Sequence, residues 1–470
     1  MAGPQQLWQH SATQVASLLR DRKISPVEVL QSVLQRYEKV NPAINAVVTL
    51  DTEGAYAAAR GSEQRLMRGE RLSELDGVPV TIKDNIHVKG LRATWGSEFY
   101  RDYVPERDEL AVARLRAAGA VIVGKTNTPE FALSGFTDNR LFGPTKNPWQ
   151  TELTPGGSSG GAVAALAAGI APIALGTDAG GSIRRPASYA GVVGFRPSTG
   201  RIARAYGFPP MAGDFQVIGP AARTVDDVAM LFRHVAGPDP IDMTSLRPSP
   251  QESAQRPLRI RCVLGMGNAP IEPEIVSAVR EAATVLKSLG HEVAEDAAPY
   301  DVSNIDQIWA TLSAAGLARV LTAYAGWREK IHPSLVPVAE RGAKVTGIEY
   351  AQALDAVTDL RRSMAQAFDQ YDVLATPTCA AHPWPIGTPY PKEINGVPVG
   401  PRGSALFSTF VNAAALPAIS VPVKPSTIGL PIGMQLVSRY GSDETLLSLA
   451  AEFESAQPWA ARWPKIAGML

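Results

Sequence analysis

The chain has 470 residues, and its 45 lysines and arginines balance its 45 aspartates and glutamates, so the formal net charge is zero. Hydrophobic residues make up 45% of the chain and charged residues 19%, a composition typical of a globular protein with a sizeable core. The charge balance provides no polybasic field, so we expect neither a nucleic-acid partner nor a membrane partner.

The two cysteines, Cys262 and Cys379, are too few for a disulfide scaffold or a four-thiolate zinc site. Two free, buried thiols are the preferred interpretation, and a single bridge between them stays open. Residues 1–8 lack the basic and apolar regions of a signal peptide. The longest apolar stretch, residues 162–175, is too short to span a bilayer. These features predict a cytoplasmic protein.

The first part of the chain predicts helices that lead into short strands. Ser25, Pro26 and Glu28 have the spacing of a capping box with proline at the first helical position. Apolar residues between 29 and 37 then recur at helical spacing. Residues 45–50 predict a strand, and an alanine-rich helix follows to about Arg68. Asp76 and Gly77 form a hairpin signal before a predicted strand at 78–83.

The remaining elements alternate between helices and strands. A helix is predicted at 108–118 and a strand at 121–123, and later a strand, a helix and a strand at 258–264, 273–289 and 291–295. Strands at 371–376 and 418–423 and a closing helix at 442–455 complete the pattern. This alternation favours crossover connections and therefore a parallel or mixed sheet.

Two proline-rich stretches interrupt the pattern. Residues 237–256 are the only candidate linker, and a surface loop within one fold is favoured because the composition does not change across them. Residues 383–401 predict a long surface loop. Within it, Asn-Gly-Val-Pro-Val at 395–399 echoes Asp-Gly-Val-Pro-Val at 76–80, which we interpret as shared turn chemistry rather than a repeat.

A glycine-rich loop at 154–161 places Ser158 and Ser159 among four glycines, directly before an alanine-rich segment. The alanine-rich segment predicts a buried helix, so the serines would lie at its N-terminus, where backbone N–H groups are unpaired. No Gly-Lys-Ser/Thr follows, which excludes a P-loop, and no dinucleotide-binding glycine pattern precedes a helix. A purely structural turn is the remaining alternative.

A second glycine-rich block, residues 175–186, follows a predicted strand with Gly-Gly-Ser. Such a turn would expose the Ser182 hydroxyl beside several free backbone N–H groups. A nucleophile next to donors for an oxyanion is what acyl transfer requires. Asp178 and Arg184 flank the turn with opposite charges, and we expect them to form a structural pair.

The base that would activate such a serine is not a recognisable histidine. None of the six histidines stands in a catalytic pattern, and His87, although close to a candidate site, is expected at the surface. No metal-binding pattern is present in the sequence, so no metal is expected. Lys83 ends an apolar strand, where a buried amine with a lowered pKa could act as a neutral base. Most lysines are solvated, and the residues alone leave both interpretations of Lys83 open.

Three motifs together resemble the amidase signature family. They are the segment at 77–85 ending in Lys-Asp-Asn, the Pro-Gly-Gly-Ser-Ser-Gly-Gly loop at 155–161, and the Gly-Thr-Asp-x-Gly-Gly-Ser-Ile-Arg block at 176–184. The separation of Ser158 and Ser182 also matches that family's spacing, and weaker similarity extends from about Val15 to Glu452. The resemblance implies an α/β fold, a mixed twisted central β-sheet wrapped by α-helices.

The same resemblance implies one domain over residues 1–470. Within it we expect an N-terminal helical region at about 1–70, a catalytic core at about 71–236, a variable pocket region at about 237–370 and the rest of the core at about 371–470. The oligomeric state stays open, with a homodimer as the commonest outcome for soluble homo-oligomers.

By resemblance, the catalytic residues form a Ser-Ser-Lys triad. Ser182 is then the nucleophile, Ser158 is the bridging serine with a cis peptide bond, and Lys83 is the base. The expected oxyanion hole consists of the backbone N–H groups of Ala179, Gly180, Gly181 and Ser182. The reaction would pass through an acyl-enzyme that water hydrolyses, and it would need no cofactor or metal.

The family includes amidases, aryl acylamidases, carbamate hydrolases and the glutamine-hydrolysing component of the tRNA-dependent amidotransferase. By resemblance, that component has an aspartate seven residues before the asparagine that is Asn412 here, and the matching position in this chain is Ala405. Its arginine-rich glutamine-binding stretch is also missing from residues 309–341. We therefore expect a stand-alone hydrolase of small-molecule amides, anilides or carbamates. The alternatives are a non-catalytic scaffold and the amidotransferase component.

Aromatic and apolar residues near the motifs and in the variable parts favour an apolar or aryl substrate, although each one is more often a core residue. Trp309, Tyr324 and Trp384 are further aromatics of the variable parts. The residues expected to bind substrate are Thr126, Asn127, Phe131, Phe136, Gly157, Tyr206, Phe208, Met211 and Trp327.

Overall fold

The computed structural model describes residues 6–246 and 257–468. The candidate linker at 237–256 is therefore described only as far as Leu246, where a short 3-10 turn, Met243–Leu246, ends, and residues 247–256 lie outside the described part. Among the described residues, both cysteines are buried and free, as predicted. No helix in these two ranges is long and apolar enough to cross a membrane.

Helices and strands alternate along most of the described chain. The helices are α1 (Ala12–Arg20), α2 (Pro26–Ile44), α3 (Thr52–Arg68), α4 (Leu110–Ala117), α5 (Gly160–Ala167), α6 (Arg184–Ala190), α7 (Val225–Val235), α8 (Pro273–Ser288), α9 (Ile305–Leu321), α10 (Trp327–Lys330), α11 (Val336–Gly342), α12 (Gly347–Ala367), α13 (Thr409–Ala413) and α14 (Asp443–Ala456). The strands are β1 (Val47–Leu50), β2 (Pro79–Lys83), β3 (Val121–Thr126), β4 (Ile173–Asp178), β5 (Val193–Arg196), β6 (Val217–Ala222), β7 (Arg259–Cys262), β8 (Glu292–Glu295), β9 (Val373–Pro377), β10 (Glu393–Ile394), β11 (Val397–Pro398), β12 (Ala418–Pro422) and β13 (Gly433–Ser438).

Eleven of these strands form one mixed sheet, in the order β1-β3-β2-β4-β6-β5-β12-β13-β9-β7-β8. The pairs of β2 with β3 and β4, and of β7 with β8 and β9, are parallel, whereas the other neighbours are antiparallel. The predicted mixed α/β architecture is confirmed. Strands from the middle and the end of the chain are neighbours, since β5 pairs with β12.

Both faces of the central strands are covered. In β4, Ile173 and Leu175 belong to the largest apolar cluster, which includes residues of α4 and α7, whereas Ala174 packs with α5 and α6 on the other face. This follows from the geometry of a strand, in which successive side chains point to opposite faces. A strand buried on both faces reads as a continuous apolar run, which is the pattern that the sequence shows here.

The local start signals of the helices form largely as predicted. Ser25 caps α2, its side chain accepts the Glu28 N–H, and the Glu28 carboxylate accepts the Ser25 N–H, so the capping box is complete. Val29, Leu30 and Val33 of the predicted apolar face are buried. The N-terminal part of α2 therefore follows from local sequence alone.

The hairpin predicted at Asp76 and Gly77 is wrong. The preceding residues are helical, and β2 pairs with the parallel strands β3 and β4. The Asp76 carboxylate instead accepts two hydrogen bonds from Arg65 at 2.7 and 2.9 Å, which ties the turn to α3. The matching pentamer at 395–399 does form a hairpin between β10 and β11, because it lies between two strand segments that can pair.

The sheet brings the ends of two parallel neighbours to one edge. β2 ends at Lys83 and β4 ends at Asp178, and Ile82 is the register partner of Leu175. Lys83 therefore lies beside the last residues of β4. The loops that carry Ser158 and Ser182 lead into α5 and α6, which pack against each other and against the sheet.

Candidate active site

Lys83 is fully buried at the end of β2, and its amine is surrounded by oxygen atoms. Its Nζ lies 2.8 Å from the Ser158 Oγ and 2.9 Å from the Thr177 Oγ1, with the Thr177 carbonyl at 3.5 Å. Burial lowers the pKa of Lys83 well below its ordinary value, although the nearby Asp178 carboxylate opposes this shift. A neutral amine in this position can accept a proton from the Ser158 hydroxyl.

The Ser158 loop approaches other backbone closely. The peptide bond between Gly157 and Ser158 is cis, as the family resemblance implies. A Cβ at Gly157 would lie 2.9 Å from backbone atoms of Phe136, so a larger residue at this position would displace one of the two loops. Ser158 itself is 1% exposed. The loop thus holds the Ser158 hydroxyl inside the protein beside Lys83.

Ser182 lies in the turn between β4 and α6 and is 7% exposed, so it reaches solvent more than Ser158 does. Its carbonyl accepts a hydrogen bond from the Ser159 N–H at 3.0 Å, which joins the two serine loops. The Ser159 hydroxyl donates to the Thr177 carbonyl at 3.2 Å. The described hydrogen bonds therefore connect Lys83, Ser158 and the Ser182 backbone, and they include no bond between the Ser158 and Ser182 hydroxyls. Hydrogen bonds between catalytic groups are often long before substrate binds.

The buried Asp178 carboxylate organises the turn that holds Ser182. It accepts the Gly181 N–H at 2.7 Å and the Ile183 N–H at 3.1 Å, and it forms a two-point ion pair with Arg184 at 3.0 Å for each bond. Burial would raise the pKa of Asp178, but the Arg184 guanidinium holds it well below the usual range. The expected structural pair of Asp178 and Arg184 is confirmed.

The use of the Gly181 N–H corrects one part of the predicted oxyanion hole. Because this N–H donates to Asp178, it is not free for a substrate oxygen. The N–H groups of Ala179, Gly180 and Ser182 have no acceptor among the described residues. The oxyanion site would therefore have three available amides rather than four.

Several residues that support this site were not singled out from the sequence. Thr177 contacts Lys83, and the Asn85 side chain donates to the Thr177 hydroxyl at 3.1 Å. Asn412 donates to the Asp178 carboxylate at 2.9 Å, and Gln435 accepts from Arg184 at 2.6 Å. Asn85 and Thr177 lie inside the recognised motifs, and that position was a signal for their proximity to the site.

Thr126 and Asn127, both expected to bind substrate, are fully buried beside the site. Thr126 is the register partner of Lys83 in β3. The Asn127 side chain donates to the Gly143 carbonyl and the Thr145 hydroxyl at 3.0 Å each, and it also contacts Asn139. The Asn127 amide therefore anchors the neighbouring loop, and contact of either residue with substrate stays a prediction.

Most of the predicted aromatic pocket residues pack with one another. Phe131, Phe208 and Met211 belong to a buried cluster around Trp95, and Trp327 packs at the edge of that cluster. Tyr206 is 44% exposed, and Phe136 packs against Tyr189 and Trp384. Whether these side chains contact substrate stays a prediction. The aromatic ring nearest the Ser182 turn is that of Trp309, which would lie 3.4 Å from a Cβ at Gly180.

His87 is not at the surface, in contrast to the expectation. It is 6% exposed, and its ring packs edge-on against Phe208 with the centroids 4.5 Å apart. Burial lowers the pKa of His87, and the nearby Glu109 carboxylate opposes the shift. The short sequence around His87 contained no apolar signal because the covering aromatic residue lies more than a hundred positions away in the chain.

Comparisons with known proteins agree with this geometry. Residues 28–447 match the family model described as Amidase. The chain is 37% identical to the A-type component of the glutamyl-tRNA(Gln) amidotransferase of Moorella thermoacetica over 490 aligned positions, which cover 98% of this chain and 99% of the relative. It is 34% identical to the acylamidase of Rhodococcus erythropolis, with 97% of each chain covered.

A solved structure of a bacterial aryl acylamidase of the amidase signature family has a similar fold. The TM-score is 0.89, with 30% sequence identity and 98% of each chain covered. The family model spans most of the sequence, and the relatives match it nearly from end to end. The chain therefore belongs to the amidase signature family of amide-hydrolysing enzymes.

Proposed function

We propose that this enzyme hydrolyses the carbon–nitrogen bond of small-molecule amides, anilides or carbamates through Ser182, Ser158 and Lys83. The observation that carries the proposal is the contact of 2.8 Å between the buried Lys83 amine and the Ser158 hydroxyl. The lowered pKa of Lys83 supports its role as a neutral base. The partly exposed Ser182 is then the group that meets the substrate.

The mechanism uses one proton relay twice. Ser182 Oγ attacks the substrate carbonyl carbon, its proton moves to Ser158 Oγ, and the Ser158 proton moves to Lys83 Nζ. The N–H groups of Ala179, Gly180 and Ser182 stabilise the negative oxygen of the tetrahedral intermediate. The carbon–nitrogen bond then breaks, and the leaving amine takes a proton from Ser158, which Lys83 replaces.

This first half leaves an ester between Ser182 and the acyl group. Water attacks that ester, and its proton passes through Ser158 to Lys83. Collapse of the second tetrahedral intermediate returns a proton to Ser182 Oγ and releases the acid. Every proton that Lys83 accepts is thus given back, and the protein ends in its starting state.

A stand-alone hydrolase is favoured over an amidotransferase component because of Ala405. Ala405 is buried in the short turn Gly403–Ala405, and its carbonyl accepts a hydrogen bond from the Ser408 hydroxyl at 3.1 Å. A methyl side chain offers no charge for the α-amino group of glutamine. The similarity to the amidotransferase of Moorella thermoacetica keeps glutamine as the second candidate substrate.

An apolar or aryl group on the substrate is supported by Trp309, whose ring covers the Gly180 side of the turn. Anilides and N-aryl carbamates would place an aromatic ring there, and both pass through the same tetrahedral chemistry. Carbamate hydrolysis would therefore use the same residues as amide hydrolysis.

The test is amine release, measured by mass spectrometry, from glutamine, benzamide, acyl anilides, an N-aryl carbamate and a short peptide amide. We expect arylamine from an anilide or a carbamate with the wild type, and a loss of at least about 10³-fold in Ser182→Ala. Ser455→Ala, which removes a hydroxyl from the exposed side of α14, is the matched control. Ammonia from glutamine alone would favour the amidotransferase component, and equal turnover in Ser182→Ala would refute the proposed nucleophile.

A further inference from the structure

Arg185 has a buried charge without a partner. The buried arginines of the described residues are Arg36, Arg184, Arg185, Arg196 and Arg223. Four of them donate to acceptors at close range: Arg36 to a helix carbonyl, Arg184 to Asp178, and Arg196 and Arg223 to loop carbonyls. Arg185 is the exception. Its Nε is buried with no hydrogen bond, and no group in residues 6–246 and 257–468 accepts one from its guanidinium.

Such an arrangement costs free energy in the folded protein. A guanidinium taken out of water loses its hydration, and a nearby carboxylate or a set of acceptors normally compensates for this loss. Arg185 is only 8% exposed and lacks that compensation. An uncompensated buried charge beside a reactive serine indicates a partner that arrives with the substrate.

The position of Arg185 relates it directly to the proposed nucleophile. It lies in the first turn of α6, three residues after Ser182. A Cβ at Gly181 would come within 2.9 Å of the Arg185 Nε, and a Cβ at Gly135 would come within 3.1 Å of its Nη1. Gly181 has a φ of +100°, which favours glycine there. Two positions without side chains therefore border the guanidinium and leave room beside it.

The neighbouring Arg402 provides a contrast. Its Nε forms an ion pair with Asp306 at 2.6 Å, and its Nη2 donates to the Thr409 hydroxyl, so its charge is matched. Burial lowers the pKa of Arg402, and the charge of Arg185 adds to this effect. Arg402 also lies over the Trp309 ring, 5.3 Å from its centroid. The surroundings of the Ser182 turn thus combine an aromatic wall with one positive charge that nothing in the described chain neutralises.

We propose that Arg185 binds a carboxylate of the substrate, so that the enzyme acts on small amides that carry an anionic group near the scissile bond. This inference rests on the proposed function of Ser182. The planar guanidinium matches a carboxylate through two parallel hydrogen bonds. Because Arg185 borders Gly181, the residue before Ser182, a short linker joins the carboxylate to the scissile carbonyl. Any aryl part of the same substrate would pack against Trp309.

The test compares anilides in matched pairs. One member ends in a carboxylate after one, two or three methylene groups, and its neutral counterpart ends in a methyl group. We expect the wild type to favour the charged member in kcat/KM by about 10- to 100-fold, as for a hydrogen-bonded ion pair. Arg185→Gln should reduce that ratio to near one, and Arg185→Lys should retain part of it, because lysine keeps the charge but loses the fork.

The matched control is Arg280→Gln. Arg280 pairs with the exposed Glu295 of β8, and β8 lies seven strands from β4 in the sheet, roughly 30 Å at the usual strand spacing. We expect the preference for the charged anilide to be the same in this variant as in the wild type. A preference that falls equally in Arg280→Gln and Arg185→Gln would contradict the assignment, because it would reflect net charge alone.

Binding separates this inference from the proposed function. Titration calorimetry with the charged anilide uses Ser182→Ala and the double variant Ser182→Ala with Arg185→Gln. We expect binding in the first and a loss of about tenfold or more in the second, whether or not the wild type turns the anilide over. Equal binding in both proteins would overturn the inference. Failure of turnover together with Arg185-dependent binding would overturn only the catalytic proposal.

The thermal midpoint excludes a structural role. If the Arg185 charge has no partner in the free protein, Arg185→Gln should unfold at the same temperature as the wild type or higher. A lower midpoint would mean that Arg185 stabilises the fold, and that result would contradict the inference. Where Arg185→Gln does not fold, it contradicts it in the same way.

Discussion

Lys83 and Ser158 lie 75 positions apart in the chain, and their side chains meet at 2.8 Å in a place where both are excluded from solvent. The contact arises because β2 ends beside β4 and because α5 begins directly after the Ser158 loop. The Thr177 hydroxyl holds the same amine at 2.9 Å. The burial of the amine lowers its pKa, so the fold itself prepares Lys83 to accept a proton.

We predict that Lys83→Met lowers kcat/KM by about 10²- to 10⁴-fold, the usual contribution of a general base. In the wild type, kcat/KM should rise with pH and reach its plateau well below the ordinary lysine pKa of 10.5. Lys424→Met, which removes an exposed amine, should leave the rate and its pH profile unchanged. A rising limb centred near pH 10.5, or a Lys83→Met variant with wild-type activity, would be incompatible with a neutral Lys83.

Lys83 should also influence stability in a pH-dependent way. Because its pKa is lower in the folded protein, the unfolded chain binds more protons between that lowered pKa and 10.5. The free energy of unfolding contributed by Lys83 therefore rises with pH in this window. Urea unfolding at several pH values should show this rise in the wild type and its loss in Lys83→Met.

The ion pair of Asp178 and Arg184 predicts a large stability effect. Asp178→Asn leaves the fully buried Arg184 without its counter-charge, and removal of one partner from a buried pair costs about 3–5 kcal/mol. The Gly181 N–H would also lose its charged acceptor, so activity should fall together with stability. Asp359→Asn, which breaks the exposed pair with Arg362, should cause no measurable change.

Two measurements decide the Asp178 prediction. Urea denaturation of Asp178→Asn gives the free energy of unfolding, and the double variant Asp178→Asn with Arg184→Met shows how much of the loss comes from the unpaired Arg184 charge. The double variant should recover part of the stability, since it buries no lone charge. A cost below about 1 kcal/mol for Asp178→Asn would show that the pair is dispensable.

Features that depend on neighbouring residues could be predicted from the sequence. The capping box of α2 needs only Ser25 and Glu28, three positions apart, and it formed as expected. The three motifs around Lys83, Ser158 and Ser182 also identified the part of the chain where the site lies. The mixed sheet followed from the alternation of strands and helices and from the family resemblance.

Features that depend on distant residues could not be predicted in the same way. Asn412 reaches Asp178 across 234 positions, and the aromatic residue that covers His87 is also remote in sequence. The Gly181 N–H was expected to be free, but the Asp178 carboxylate takes it through a bond that local spacing did not reveal. The hairpin signal at Asp76 failed because hairpin formation needs a strand on each side of the turn.

Gly161 in the first turn of α5 predicts a packing effect. A Cβ at this position would lie 2.4 Å from the Asn127 backbone nitrogen and 2.6 Å from the Ala46 carbonyl oxygen, and neither atom can move freely. Gly161→Ala should therefore destabilise the protein by about 1–3 kcal/mol, the usual cost of overpacking, and should shift the adjoining serine loop. Activity and urea denaturation are the two measurements.

The matched control for this change is Gly347→Ala, at the start of α12. A Cβ at Gly347 would meet nothing within 4 Å, so alanine should be neutral or stabilise the helix by up to about 1 kcal/mol. The two substitutions add the same methyl group to the first turn of a helix. If both had equal effects on stability, the close approach of α5 to Asn127 would not explain the glycine at 161.

Glu454 in α14 predicts a loss of stability as the pH rises. Its carboxylate accepts the Val225 N–H at 2.7 Å. Burial raises the pKa of Glu454 to about 7, the Asp226 and Asp227 carboxylates add to this shift, and the Arg223 guanidinium opposes it.

The folded protein therefore binds the Glu454 proton more tightly than the unfolded chain does. This contribution is complete below the unfolded pKa of 4.5 and disappears as the pH rises to about 7, with a total of up to about 3 kcal/mol at 1.4 kcal/mol per pKa unit. Glu454→Gln keeps an acceptor for the Val225 N–H and removes the titration, so its stability should change less with pH than that of the wild type. The exposed Glu393→Gln is the control. Asp227, whose pKa burial raises to about 6, titrates in the same range and leaves a residual slope in Glu454→Gln. A slope identical to that of the wild type would show that Glu454 is ionised in the folded protein throughout this range.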